Sequence, residues 1–291
     1  MSERETYPAS VPCWVETLQP DPRAALDFYG SLFGWELAGP EPMAGERPSE
    51  LEGPSEYFVA RVNGRDVAGI GSLPASGGPP TAIWATYVRV DNADQAVARA
   101  TAAGASVLAG PLDAPPAGRL AVLLDPVGAV VCLWEARARE GAQLVNEPGT
   151  WQMSALHCTD AEAANAFYGS VFGWQPEAFG PPEAQMTLWR LPGYVGGEAQ
   201  QPVPRDVVAV MAPTAAAAAV PPHWNVNLRV EDADATVEQA ADLGAKVIAP
   251  AQDTPGFRSA VLADPQGAVF SISQLTAPAE SQPRARGGLR A

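Results

Sequence analysis

Short apolar runs alternate with polar, turn-rich stretches along the chain, and this pattern predicts many short secondary-structure elements. Strands are predicted at Pro12–Leu18 and Gln152–Cys158, and each leads directly into a helix. A second strand and helix follow in each half of the chain, over Ile83–Val90 and Asn92–Ala103 and again over Trp224–Val230 and Ala233–Leu243.

Turn and cap residues mark the ends of these elements. Asp21 is a good N-cap residue, and Pro22 follows at the first helical position, where its missing N–H costs nothing. Gly34 and Gly173 are typical helix stops. Each half is predicted to close with a hairpin, at Asp125-Pro-Val-Gly128 and Asp264-Pro-Gln-Gly267.

The two halves repeat each other at a nearly constant distance. Asp21–Trp35 aligns with Asp160–Trp174 at an offset of 139 residues, from position 21 to position 160. The offset is 140 between Val88–Asp94 and Leu228–Asp234, and 139 between Leu124–Val130 and Ala263–Val269. A period this long indicates duplicated domains. We predict modules over residues 8–136 and 149–275, each with the order β-α-β-β-β twice, and a flexible tail over 276–291.

Composition and charge exclude several classes of function. The 291 residues carry a formal net charge of −15, which argues against nucleic-acid binding because a phosphate backbone requires a basic surface. The chain has no uncharged apolar run of membrane-spanning length and no apolar signal-peptide core. Its three cysteines are irregularly spaced, which suits a reducing compartment, so a cytoplasmic location is expected. The chain is expected to be a monomer or a homodimer.

The repeated motifs resemble those of the vicinal oxygen chelate superfamily, which includes glyoxalase I, extradiol dioxygenases and bleomycin-resistance proteins. The resemblance rests on a strand followed by Asp21, the Phe28-Tyr29 pair and Gly34, and on Asp-Pro-x-Gly before the last strand, in both modules. It implies an α+β fold in which the two units of a module form a curved, mostly antiparallel sheet around a cavity, with helices outside. The Pro12-x-Trp14-Val opening is similar to that of tandem actinobacterial proteins, either mycobacterial and antigen-like or accessory to antibiotic gene clusters.

The resemblance also implies where metal ligands would stand. These positions are occupied by residues that are neither His nor carboxylate: Trp14, Ala85 and Cys132 in the first module, and Met153, Asn225 and Ser271 in the second. The two histidines, His157 and His223, fall elsewhere and are interpreted as ordinary polar residues. We therefore predict no metal and no other cofactor.

Alternation along the strands predicts which side chains line each cavity. The predicted ligand-binding residues are Trp14, Glu16, Tyr87, Cys132 and Trp134 in the first module and Met153, Asn225, Asn227 and Ser271 in the second.

Several of these side chains have two interpretations. Trp14 and Trp134 either fill a disused cavity as core or stack on a flat ligand. Glu16 either pairs with Arg89 or meets the cationic end of that ligand. Asn225 and Asn227 bond either a ligand or each other. Cys132, which has no activating neighbour in sequence, is interpreted as a buried apolar residue.

Three functions are consistent with these residues. The first is a metal-independent binding protein that sequesters a hydrophobic, aromatic, cationic natural product such as an anthracycline- or bleomycin-like antibiotic, with Trp14 as the main anchor. The second is a metal-independent isomerase, lyase or cyclase of a natural-product pathway with Glu16 as general base. The third is an accessory partner of a biosynthetic enzyme, with both cavities filled by side chains.

Overall fold

The computed structural model describes residues 3–42, 56–73, 81–180, 185–196, 202–214 and 220–276. The elements of the first module are β1 Pro12–Gln19, α1 Pro22–Phe33, β2 Glu36–Pro42, β3 Glu56–Val62, β4 Arg65–Ser72, β5 Ile83–Arg89, α2 Ala93–Ala102, β6 Ser106–Ala114, β7 Gly118–Leu124 and β8 Val130–Ala136. Those of the second are β9 Trp151–Cys158, α3 Ala161–Phe172, β10 Gln175–Phe179, β11 Met186–Arg190, β12 Val207–Pro213, β13 His223–Val230, α4 Ala233–Asp242, β14 Lys246–Thr254, β15 Phe257–Ala263 and β16 Val269–Leu275. The predicted tail beyond Thr276 lies outside the described residues.

Each module is a single eight-stranded sheet built from two β-α-β-β-β units. The strand order is β2-β3-β4-β1-β5-β8-β7-β6 in the first module and β10-β11-β12-β9-β13-β16-β15-β14 in the second. The two units join where β1 runs antiparallel to β5, and β9 to β13. The predicted fold class is thus confirmed, and within the described residues neither sheet closes into a barrel.

The predicted caps mark where the helices begin and end. The side chain of Asp21 accepts from the backbone N–H groups of Arg23 and Ala24, which would otherwise have no partner in the first turn. Gly34 and Gly173 end their helices in the left-handed conformation, with φ of 68° and 74°. These stops allow the chain to turn directly into the next strand.

Each sheet has two distinct faces. One, which we call the helix face, carries the helices and packs against the helix face of the other module, where the hydroxyls of Thr86 and Ser154 lie 2.8 Å apart. The opposite face, which we call the inner face, carries Trp14 and Glu16 in the first module and Met153 and Ala155 in the second. Because residues alternate along a strand, the predicted ligand-binding residues all belong to the inner faces.

The repeated motifs connect the two modules reciprocally. The hydroxyl of Tyr29 on α1 donates to Oδ2 of Asp264 at 2.8 Å, and that of Tyr168 on α3 donates to Oδ2 of Asp125 at 2.7 Å. Each aspartate belongs to the closing Asp-Pro-x-Gly turn of the other module. The helix tyrosines and turn aspartates of the repeat therefore hold the modules together.

Aromatic rings fill the space around these hydrogen bonds. Tyr29 contacts Trp35, Trp84 and Phe270 with ring centroids 5.5 to 5.7 Å apart, so that α1 packs on a strand of the second module. A similar cluster surrounds Tyr168, with Trp174, Trp189 and Trp224. No helix within the described ranges is long and apolar enough to cross a membrane.

Candidate ligand-binding faces

Glu16 stands at the centre of the first inner face, on β1 between Trp14 and Leu18. Its carboxylate accepts from the hydroxyl of Tyr87 at 2.5 Å and from that of Tyr57 at 2.9 Å. Only 7% of the residue is exposed. Burial raises the pKa of the Glu16 carboxyl above its ordinary value, and the two tyrosine hydrogen bonds oppose this increase only in part.

Trp14 lies beside this carboxylate and shares its hydrogen-bond network. The indole Nε1 donates to the Tyr57 hydroxyl at 3.0 Å, and the guanidinium carbon of Arg139 lies 5.6 Å from the centroid of the Trp14 ring. Trp14 is only 4% exposed. The ring therefore points to the predicted cavity face, but other side chains cover it.

Two glycines make room for this packing. A Cβ on Gly69 would lie 2.7 Å from Cζ of Tyr57 and 2.9 Å from Cβ of Glu16, which is closer than atoms can approach. A Cβ on Gly118 would likewise lie 2.6 Å from Cζ2 of Trp134. The first inner face is thus closely packed because small residues on neighbouring strands admit large rings.

Cys132 and Trp134 complete this face from β8. The Trp134 ring contacts that of Tyr87 edge to face at 6.3 Å, and its Nε1 donates to the backbone oxygen of Arg139 at 2.8 Å. Burial raises the pKa of the Cys132 thiol, and the charge of Glu16 raises it further. The thiol is therefore protonated at neutral pH and unsuited to act as a nucleophile.

The expected pairing of Glu16 with Arg89 is wrong. Arg89 donates to the backbone oxygen of Val90, and its Nε lies 3.9 Å from a carboxylate oxygen of Glu140. The hydroxyls of Tyr57 on β3 and Tyr87 on β5 contact Glu16 in place of Arg89. The carboxylate is therefore buried with neutral donors in direct contact with it.

The second inner face carries smaller side chains at the corresponding positions. Ala155 stands where the first module has Glu16, Asn227 replaces Tyr87, and Ser273 replaces Trp134, as the strand registers show. Met153, Ala155, Asn227 and Ser271 are half-buried, whereas their counterparts in the first module are buried. The second inner face is therefore the more accessible of the two.

Asparagine and serine form the polar centre of this second face. The Ser271 hydroxyl donates to Oδ1 of Asn225 at 2.7 Å, and Nδ2 of Asn227 donates to the Ser273 hydroxyl at 2.8 Å. The two asparagines therefore bond serines on β16, and not each other as one interpretation had it. Oδ1 of Asn227 is buried and has no hydrogen-bond partner within the described part of the chain. An unpartnered acceptor of this kind favours a ligand that supplies a donor.

The two histidines lie side by side at one end of the second inner face. Their rings stack with centroids 5.0 Å apart and an interplanar angle of 7°. Burial, and then the neighbouring His223, lower the pKa of His157 to about 4. His157 is therefore neutral at physiological pH.

The residues at the implied metal positions do not fit a metal ion. Trp14, Ala85 and Cys132 supply one protonated thiol between them, and Oδ1 of Asn225 already accepts from Ser271. Within the part of the chain that the structure describes, no group of three or more His, Cys, Asp or Glu side chains could hold a metal. The absence of a bound metal stays a prediction, which elemental analysis can test.

Residues distant in sequence contribute contacts that strand alternation did not predict. Tyr57 on β3 joins Trp14 to Glu16, and Arg139 follows β8 and covers Trp14. The one sequence signal for Tyr57 is the pair Gly69 and Gly71 on β4, because alternating glycines leave space above one face of a strand. No comparable signal marks Arg139.

Two tandem modules, with paired β-α-β-β-β units and helices on one face of each sheet, define a protein of the vicinal oxygen chelate fold. The sequence profile of the glyoxalase-like domain matches residues 14–134 and again residues 153–273. The chain belongs to this glyoxalase-like family.

Relatives of similar length share both modules. The chain is 37% identical over 278 residues to CFP32 of Mycobacterium tuberculosis, a protein provisionally named as a glyoxylase, with 94% of this chain and 97% of the relative covered. It is 33% identical over 286 residues to the anthracycline biosynthesis protein DnrV of Streptomyces peucetius, with 97% and 98% covered.

Solved structures share the fold at low sequence identity. The manganese-bound glyoxalase of Novosphingobium aromaticivorans is 17% identical, with a TM-score of 0.59 over 91% of this chain and 82% of that one. The 2,2',3-trihydroxybiphenyl 1,2-dioxygenase of Sphingomonas wittichii is 15% identical, with a TM-score of 0.54 over 94% of both chains. These similarities extend to the fold alone.

Proposed function

We propose that this protein binds an aromatic natural product on the inner face of its second module, without a metal ion, as an accessory protein in the biosynthesis of that compound. The observation that carries the proposal is the buried, unpartnered Oδ1 of Asn227 on a half-exposed face. A donor from a ligand would satisfy this acceptor, whose burial without a partner costs about 1–3 kcal/mol. The similarity to DnrV supports the class of compound.

The choice of the second module follows from packing. On the first inner face both carboxylate oxygens of Glu16 accept hydrogen bonds, and Trp14 is covered by Arg139. A ligand could reach Trp14 or Glu16 only after these side chains separated. The cationic group that we expected to meet Glu16 would therefore have to displace Tyr57 or Tyr87.

Daunorubicin, an anthracycline, provides the test. We expect Asn227→Ala to weaken its binding about fivefold or more, because the ligand donor loses its acceptor. Tyr87→Phe, at the equivalent position of the first module, serves as the matched control and should leave affinity unchanged. Affinity is measured from the quenching of drug fluorescence, and mass spectrometry checks that the drug is recovered unaltered.

The reverse result would contradict this assignment. If Tyr87→Phe or Trp14→Phe weakened binding while Asn227→Ala did not, the first module would be the binding site, as its aromatic side chains predict. If the wild-type protein bound no anthracycline, the proposed ligand class would be wrong.

The raised pKa of Glu16 favours a second candidate function. A carboxylate with a raised pKa suits a general base in a metal-independent isomerase, lyase or cyclase, and Tyr57 and Tyr87 would then help to position it. Turnover of a polycyclic substrate that is lost in Glu16→Gln, with substrate binding retained, would establish this function. This enzymatic function is the weaker candidate, because the substrate would have to reach Glu16, which is only 7% exposed.

A further inference from the structure

A cleft opens at the end of the second inner face, between the N-terminal segment and β9. Its volume is about 60 Å³, and it is lined from the N-terminal side by Arg4 and Tyr7, from the link between modules by Asn146, and from β9 by Gln152 and Met153. Met153 also belongs to the second inner face. The cleft therefore adjoins the face on which we place the ligand.

Three polar atoms of the described lining residues are buried and have no hydrogen-bond partner among the residues that the structure describes. They are Nε of Arg4, Oδ1 of Asn146 and Oε1 of Gln152. Native proteins leave few such atoms, because each one without a partner costs free energy. Three of them on residues that line one cleft would gain hydrogen-bond partners from a polar group held there.

The surroundings hold these residues in place. Arg4 is fixed by its Nη2, which donates to the backbone oxygen of Gly196, so that its Nε is left for another partner. Asn146 is 7% exposed and adopts a left-handed backbone conformation with φ of 62°, which few residues tolerate. Its backbone N–H donates to Trp151 at 2.9 Å, and its backbone oxygen accepts from Arg229 at 2.8 Å.

The unpartnered atoms determine which donors and acceptors a group bound in the cleft must present. Arg4 offers a donor, so the bound group must present an acceptor, and the two amide oxygens require two N–H or O–H donors. Among the described residues that line the cleft, Arg4 is the one that is charged, and its positive charge would repel an ammonium group. A carboxylate would pair with Arg4 but would face the oxygens of Asn146 and Gln152.

We propose that this cleft binds the uncharged polar end of the ligand, in the form of a carbonyl oxygen flanked by two donors, as in a carboxamide or a hydroxylated ketone. This inference rests on the proposed function, since the aromatic remainder of the ligand would extend past Met153 along the second inner face. It assigns Arg4, Asn146 and Gln152 to recognition of the polar end.

Three small aromatic probes of different charge test the proposal on the full chain. Salicylamide carries the predicted group, salicylate replaces it with an anion, and 2-hydroxybenzylamine replaces it with a cation. Each is titrated to about 20 mM, because fragments of this size bind weakly, and the side-chain amide signals of Asn146 and Gln152 are followed by NMR. We expect salicylamide to shift these signals with an affinity about fivefold or more above that of the charged probes.

Variants separate recognition from folding. Gln152→Leu and Arg4→Leu should each weaken salicylamide binding about fivefold or more, whereas Arg65→Leu, an exposed arginine paired with Glu3, should not change it. Gln152→Leu removes a buried unpartnered oxygen, so it should fold at least as stably as the wild type.

Three results would overturn the inference: tighter binding of salicylate or the amine, unchanged affinity in both variants, or no shift with any probe. The last would mean that the cleft holds water only. Anthracycline binding that depends on Asn227 without a salicylamide response would refute this inference alone. A salicylamide response without anthracycline binding would instead refute the proposed function.

Discussion

The reciprocal hydrogen bonds between modules predict unequal effects of two equivalent substitutions, Tyr29→Phe and Tyr168→Phe. Each substitution removes a buried hydroxyl that donates to an aspartate and accepts from a tryptophan Nε1, of Trp84 or Trp224. A hydrogen bond to a charged group contributes about 1.5–3 kcal/mol, so each variant should lose about that much free energy of unfolding.

After the substitution, the two aspartates differ in the side-chain hydrogen-bond donors that they keep. Oδ2 of Asp264 also accepts from Nε2 of Gln19 at 2.7 Å, and would keep this partner. Cys158 replaces Gln19 at the equivalent position of the second module and bonds the backbone of Asp160 instead. Oδ2 of Asp125 would thus lose its side-chain donor, so Tyr168→Phe should cost about 1–2 kcal/mol more than Tyr29→Phe.

Urea unfolding at neutral pH, followed by circular dichroism, measures the difference. Adding Gln19→Leu to Tyr29→Phe should bring its cost to that of Tyr168→Phe. Burial raises the pKa of Asp125, and loss of the Tyr168 hydrogen bond should raise it further, so the excess cost should diminish as pH falls and the carboxyl is protonated. Equal costs for the two single variants, or a larger cost for Tyr29→Phe, would refute the role assigned to Gln19.

Four further predictions concern the inner faces. Because the pKa of Glu16 is raised in the folded state, the folded protein binds the carboxyl proton of Glu16 more tightly than the unfolded chain does. The stability should therefore fall as the pH rises above about 4.5. Melting curves of Glu16→Gln should lack this pH dependence. The imidazole of His157 should titrate near 4 by NMR, and titration near 6.5 in the folded protein would show that burial and His223 have little effect. Gly69→Ala should destabilise the protein by about 1–3 kcal/mol, because the added methyl group displaces Tyr57 from Glu16, and an unchanged melting temperature would contradict that packing. Elemental analysis of the purified protein should find no stoichiometric transition metal, and a metal lost on mutation of Asn225 or Cys132 would show that the donor set was misjudged.

Much of the fold could be predicted from the repeat. The aligned Asp21 and Asp160 caps, the glycine stops and the Asp-Pro-x-Gly turns fix where elements begin and end, and these are local properties of the chain. Strand alternation also placed Trp14, Glu16 and Tyr87 on one face correctly, because the period of a strand needs no knowledge of its neighbours.

Accessibility of the two faces could not be predicted in the same way. Whether Trp14 is covered depends on Tyr57 and Arg139, which reach it from elements distant in sequence. The pairing expected between Glu16 and Arg89 failed because opposite charges on neighbouring strands need not meet when hydroxyl donors lie closer. The cleft at Arg4 was missed because it is formed by the N-terminal segment, which carries no motif.

The packing of the first inner face has a consequence for how the protein responds to rising ligand concentration. With one face occupied by its own side chains, the duplicated chain would have one binding site and not two, and titration should saturate at one ligand per chain with a simple hyperbolic curve. The two modules would then have different roles. The first would support the second structurally, and only the second could change its ligand specificity by substitution of its small polar residues.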